Sequence, residues 1–224
     1  MRWSPVSALA ILIAVPSLAA GQVSVQGGVL VGRAEHRVVD ADTLVALSGT
    51  LFGGTLGVTI GERFQIHGEA LGGPLTSAAA PSLEDHDVAE AQILGGMKVR
   101  PWLTLESGLS FRSFSNSLAR QHWTTWRIGA ETRVPLGFES VTAVLRGFWM
   151  PLVAVSGLSK PDVALALGVG LDWRGRRMGI SAQYTFERYD FEPRNGAQRL
   201  EELSTIRVRV GMWWPRSSRA KRSA

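Results

Sequence analysis

Between Val163 and Trp173 apolar residues stand at every second position, Val163, Leu165, Leu167, Val169, Leu171 and Trp173, with Ala164, Ala166, Gly168, Gly170 and Asp172 in the gaps. After the basic turn Arg174-Gly175-Arg176-Arg177, a second run sets Met178, Ile180, Ala182, Tyr184 and Phe186 against Gly179, Ser181, Gln183, Thr185 and Glu187. A period of two is that of a β-strand with one apolar and one small or polar face, and the short turn makes the pair a hairpin. Runs of about nine to eleven residues with aromatics near the ends of the apolar row suit a transmembrane β-barrel.

The same alternation recurs along the chain. Apolar rows run from Val23 to Val31, Phe52 to Ile60, Phe64 to Ala70, Ala89 to Val99, Leu103 to Phe111, Trp126 to Val134 and Val141 to Trp149 before the hairpin, and from Ile206 to Trp214 after it. Ten strands are therefore predicted, with eight as the alternative because the second and third runs are the weakest. Polar connections at Arg33 to Thr43, Gly72 to Asp87, Ser115 to Gln121, Met150 to Asp162 and around Pro193, Asn195 and Gly196 read as long. Those at Gly61-Glu62-Arg63, Pro101-Trp102, Pro135 to Ser140 and Arg174 to Arg177 read as short. Alternating long and short connections predict an up-and-down antiparallel barrel, with both termini and the tight turns on the periplasmic side.

The polar row decides which face meets lipid. It carries Glu69, Glu90, Lys98, Arg100, Glu106, Arg112, Arg127, Glu131, Arg133, Arg146, Asp172, Glu187, Arg207 and Arg209, together with His67, among many small residues. An arginine facing the hydrocarbon costs roughly 2 to 4 kcal/mol near the midplane, so five of them cost about 10 to 20, as much as a whole domain is stable by. The charged row must face the lumen, where buried charge requires partners. A cross-strand network of Glu69, Glu90, Lys98, Glu106, Arg112, Arg127, Glu131, Arg133, Arg146, Asp172, Glu187, Arg207 and Arg209 is expected to fill the bore. Trp102, Trp173, Trp213 and Trp214 at one end, and Phe111, Trp123, Trp126, Trp149 and Phe186 at the other, read as two aromatic girdles.

Composition adds the ends of the chain. Met1-Arg2, the apolar stretch Val6 to Ala19 and the small residues Ala19-Ala20-Gly21 read as a cleaved signal peptide over 1–21. The stretch is too short, and too interrupted by Pro16, to be a spanning helix. Residues 22–214 form the barrel, and 215–224, with Arg216, Arg219, Lys221 and Arg222, a basic disordered tail. The 224 residues contain no Cys, which excludes disulfides and thiolate chemistry. A net charge of +5 is dispersed through strands rather than gathered in a patch, which argues against nucleic acid.

This pattern resembles the small bacterial outer-membrane β-barrel proteins, of the size of OmpA, OmpX and the omptins, over nearly all of the mature chain. Ile206, Val208, Val210, Met212 and Trp214 resemble the terminal strand signal read by the barrel-assembly machinery in that family, although the basic tail departs from it. The resemblance implies the outer membrane as location, the lipid bilayer, lipopolysaccharide and the assembly machinery as partners, and a monomer without cofactor. No catalytic, cofactor or metal site is expected. His36, His67, His86 and His122 lie in separate elements, and Glu84-Asp85-His86-Asp87 lacks a partnered base in another loop. The expected role is structural or interactive through external loops, with a charged, plugged lumen. A narrow channel or transporter, biased toward anions by the basic excess, is the alternative, and an omptin-like or lipid-modifying enzyme the third.

Overall fold

A computed structural model describes residues 23–41, 43–77, 86–116, 120–138, 140–193 and 198–214. They form ten strands: β1 (Val23–Asp40), β2 (Thr43–Ile60), β3 (Phe64–Leu75), β4 (His86–Arg100), β5 (Leu103–Ser115), β6 (Arg120–Pro135), β7 (Val141–Val155), β8 (Pro161–Arg174), β9 (Met178–Phe191) and β10 (Arg199–Trp214). Each strand pairs antiparallel with its sequence neighbours, and β1 pairs with β10 from Val25↔Trp214 to Asp40↔Arg199, closing the ring. Closure gives every strand a partner on both sides over its membrane-spanning part, which satisfies the backbone in a medium that offers no hydrogen bonds, and only distal stretches such as Thr43–Leu51 of β2 and residues 150–155 of β7 extend past one neighbour. The expected signal peptide and basic tail lie outside the described residues. The end carrying Val23 and Trp214 is here the terminal end, and the opposite one the distal end.

The alternation becomes two surfaces. On the outside, Val29, Phe52, Ile93 and Leu167 are 59 to 69% exposed. Along β8 the outward row Val163 to Trp173 is unbroken by charge, and at about 3.3 Å per residue and a tilt near 40° it covers ~25 Å along the barrel axis, the height of a bilayer's apolar band. So large an apolar surface has no place in water. Polar groups within it pair with each other: Trp126 Nε1 donates to Ser107 Oγ at 3.0 Å, and the Tyr184 and Ser204 hydroxyls lie 3.2 Å apart. On β1 outward charge begins at Arg33, which donates to Ser48 Oγ at 3.4 Å, and nearer the distal end Arg37 meets Glu35 at 3.2 Å and Arg188 meets Asp190 at 3.2 Å. The molecule is a membrane-embedded barrel whose distal rim stands clear of the apolar band.

Four details differ from the sequence expectation. The stretch Arg33 to Thr43 is a hairpin, with β1 and β2 in register up to Asp40↔Thr43. It was expected as a loop because its outward positions turn polar, yet alternation continues, with Ala34 and His36 buried between exposed Arg33, Glu35 and Arg37. Strand β7 runs on to Val155 past Pro151, where the chain was expected to leave the sheet. The pairing shifts from Ile128↔Trp149 to Trp126↔Leu152, a bulge that absorbs the proline's missing donor. Trp123 is 3% exposed and belongs to the lumen rather than a girdle, since an odd spacing from Trp126 reverses its face. Trp213 likewise turns away from Trp214, and a Cβ on Gly179 would lie 2.6 Å from its ring, so glycine is required there.

Candidate functional sites in the lumen

The bore is stratified. Toward the distal end it is apolar: Leu75, Phe114, Trp123, Tyr189 and Phe191 are at most 5% exposed. Trp123 meets Tyr189 edge-on at 4.9 Å and Phe191 at 6.1 Å between centroids. These residues were not foreseen as a lumenal layer, because apolar side chains were read as lipid-facing. The signal was present as breaks in alternation, where both parities are apolar: Val29-Leu30-Val31, Leu51-Phe52, Ile93-Leu94 and Trp149-Met150. In each, the structure buries the inward member.

Beside this layer a charged brace crosses the bore. Arg112 on β5 donates from Nε to Glu90 on β4 and from Nη2 to Glu187 on β9, both at 2.8 Å. Arg127 on β6 donates to the other Glu187 oxygen at 2.6 Å, and the Tyr189 hydroxyl donates to Glu187 at 2.8 Å. The four charged side chains are 3 to 6% exposed and sum to zero. Two cations around one carboxylate form charge-assisted bonds, the strong kind in a low-dielectric interior.

In the terminal half the polar row is looser. Glu131 accepts from Arg133 Nε and from Arg146 Nε, each at 2.6 Å, and Arg133 reaches Asp172 at 2.9 Å. Arg207 pairs with Glu69, which also lies 3.8 Å from His67. Glu106 accepts from Gln65 at 3.4 Å and forms no ion pair with an arginine among the described residues. Lys98 and Arg209, both expected in the network, form no ion pair among the described residues. Arg174 lies over the Trp213 ring at 4.6 Å, and Trp213 Nε1 donates to the Arg176 carbonyl at 3.1 Å.

At the distal mouth a cleft of about 230 Å³ opens above the apolar layer. The β1–β2 hairpin lends Val38, Val45 and Leu47, and Phe114 and His86 face them. His36 stacks on Phe114 at 4.5 Å with 12° between planes and meets Glu201 at 3.1 Å. Arg199 donates to Glu201 at 2.8 and 2.6 Å and to Asp40 at 3.3 Å. A carboxylate-held histidine is half of a hydrolytic apparatus, but no hydroxyl among the described residues bonds to His36. Of the acidic stretch, His86 lines the cleft and Asp87 faces outward on β4, while Glu84 and Asp85 lie outside the described residues. Among the described residues, no group of three or more His, Asp or Glu is placed to hold a metal.

No family model matches this chain, and no curated protein matches it. Among solved structures it is similar to the β domain of the Bordetella autotransporter BrkA, at 13% identity and TM-score 0.42, over 82% of this chain and 98% of that one. It is also similar to a TodX mutant, a monoaromatic hydrocarbon channel, at 9% and 0.40 over 88% and 91%. A third is the attachment invasion locus protein Ail of Yersinia pestis, at 13% and 0.34 over 85% and 99%. The assignment as a membrane barrel rests on the closed ring and its apolar exterior, not on these likenesses.

Proposed function

We propose that this chain is an integral β-barrel of the bacterial outer membrane whose bore is sealed by its own side chains, and whose role is structural or interactive at the distal, cell-exterior face. The observation that carries this reading is the Glu90, Arg112, Glu187 and Arg127 brace spanning the bore beside the Trp123, Tyr189 and Phe191 layer. Small barrels are filled by side chains, and ten strands only slightly widen the bore. Four short turns and the barrel's ends, Val23 and Trp214, lie at the terminal end, which matches the periplasmic side of such barrels, with the β1–β2 hairpin as a tight turn at the distal end. The lipid bilayer and lipopolysaccharide are its surroundings, and it works as a monomer. Ile206, Val208, Val210, Met212 and Trp214 stand exposed on β10 beside the closing seam, where the assembly machinery reads them.

The test is single-channel recording of the purified barrel in planar bilayers. The expected result is a quiet membrane. Stable large conductance from the wild-type chain would overturn the sealed bore. A narrow anion pathway is the second reading, favoured by Arg209 and Lys98 in the terminal half, which form no ion pair among the described residues, and it would appear as a small, anion-selective conductance lost in Arg209→Gln.

A further inference from the structure

The two ends of the barrel carry charge differently. On the outward face of β1, β9 and β10 at the distal end, Arg37 meets Glu35 at 3.2 Å, Arg188 meets Asp190 at 3.2 Å and Glu202 at 3.9 Å, and Arg33 has the Ser48 hydroxyl. At the terminal end, counted from the last residue of one strand to the first of the next, the four turns carry Arg63, Arg100, Arg174, Arg176 and Arg177 against two acids, Glu62 and Glu139. All five arginines are exposed, and none forms an ion pair among the described residues. Residues 215–224 add Arg216, Arg219, Lys221 and Arg222 and no acid. The turn from Arg174 to Arg177 is fixed to β10. The Trp213 backbone N–H donates to the Arg177 carbonyl and its Nε1 to the Arg176 carbonyl, both at 3.1 Å, and Arg174 lies over its ring. A turn held through its backbone leaves the Arg176 and Arg177 guanidinium groups to an anion from outside.

These cations stand beside the aromatic girdle. Arg63 precedes Phe64, Arg100 comes two residues before Trp102, and Arg174 follows Trp173, and those three aromatics are 42 to 55% exposed. Girdle aromatics mark the level of the lipid headgroups, and a short turn keeps an arginine within a side chain's length of it. Positive charge without a partner at that level attracts anionic lipid. We propose that the terminal rim binds the anionic headgroups of phospholipids in the leaflet it faces, with Arg176 and Arg177 as its densest part. The proposal rests on the reading of the chain as an outer-membrane barrel and extends that reading from the distal face to the terminal one. Lipid is the occupant rather than a periplasmic polymer such as peptidoglycan, because turns this short hold the guanidinium groups against the membrane and not out in the periplasm.

The experiment reconstitutes the barrel, purified from outer membranes, in phosphatidylethanolamine vesicles containing phosphatidylglycerol, with bromine on the acyl chains of one lipid or the other. Trp126→Phe and Trp149→Phe remove the distal girdle indoles, so that Trp102, Trp173 and Trp214 remain as the lipid-facing ones. Brominated phosphatidylglycerol is expected to quench them as if bound about fivefold or more tightly than brominated phosphatidylethanolamine. High salt should erase that preference, since the charges are exposed. Arg176→Gln with Arg177→Gln leaves the backbone bonds to Trp213 in place and should lower the preference about twofold or more. Adding Arg63→Gln and Arg100→Gln should remove it. The gel shift on boiling checks that each variant is folded, and the double variant decides alone if the fourfold one does not fold. Equal quenching by the two lipids, or a preference that these substitutions leave unchanged, would overturn the site. Absence of lipid preference together with sedimentation on isolated peptidoglycan sacculi, abolished in the same variants, would overturn it in favour of the polymer. A quiet barrel without lipid preference overturns this inference alone, whereas a conducting barrel that shows the preference overturns only the sealed bore.

Discussion

The two halves of the lumen are built from the same alternating strands and filled in opposite ways. In the distal half, inward positions carry bulky apolar side chains, and the adjoining Arg112, Arg127, Glu90 and Glu187 are mutually paired and nearly dry. In the terminal half, inward positions include Gly129, Gly168, Gly170 and Gly179 between long charged side chains, and Arg133 is 39% exposed along its side chain. The difference teaches that a charged lumenal row does not by itself make a plug or a pore. What matters is whether each charge is paired across the bore and whether an apolar layer keeps water from it, since screening and hydration weaken exposed pairs far more than buried ones.

The largest test of that contrast is Arg112→Ala. It leaves Glu187 with one cation and Glu90 with none, both buried, and breaking such a pair from one side costs about 3 to 5 kcal/mol. The expected result is a loss of that size in urea unfolding of the lipid-reconstituted barrel, with ion leak in planar bilayers. An effect below about 1 kcal/mol, the range of a surface pair, would show water already reaching the brace and erase the distinction between the halves. A smaller probe is Tyr189→Phe, which keeps the ring against Trp123 and removes the hydroxyl that donates to Glu187 at 2.8 Å. A hydrogen bond to a charged group contributes about 1.5 to 3 kcal/mol, and a loss in that range without added conductance is expected from the same unfolding and bilayer measurements. Conductance equal to that of Arg112→Ala would assign the seal to the hydroxyl rather than to the arginine.

Much of this architecture is legible in the sequence. Strict period two in β8 and in β9 as far as Glu187, with charge on one parity only, dictates both the strands and the face that meets lipid. The arginines could be assigned inward because the opposite choice is energetically untenable. Partners were not legible: Glu187 meets Arg112 across the bore, and which strands oppose each other at a given height depends on register, which bulges such as that at Pro151 reset. The distal cleft was hidden for a related reason. Its walls come from the hairpin read as a loop, and His36, Leu47, His86 and Phe114 become neighbours only when β1, β2, β4 and β5 rise together above the apolar band.

The smallest expected effect is the sharpest for the terminal half. Arg209 points into the lumen from β10, within the field of Asp172, Glu69, Arg146 and Arg133, but it forms no ion pair among the described residues. A guanidinium surrounded by two carboxylates that other arginines already hold gains little from its charge, and what solvent reaches it supplies the rest. Arg209→Gln should therefore change unfolding free energy by no more than about 0.5 kcal/mol, the range of an unconstrained substitution. The same measurement on Arg207→Gln, which strips Glu69 of its cation, should show a distinctly larger loss. If Arg209→Gln instead destabilised as much as Arg112→Ala, the terminal half would be as tightly braced as the distal one, and the second reading of an anion pathway would lose its unpaired cation.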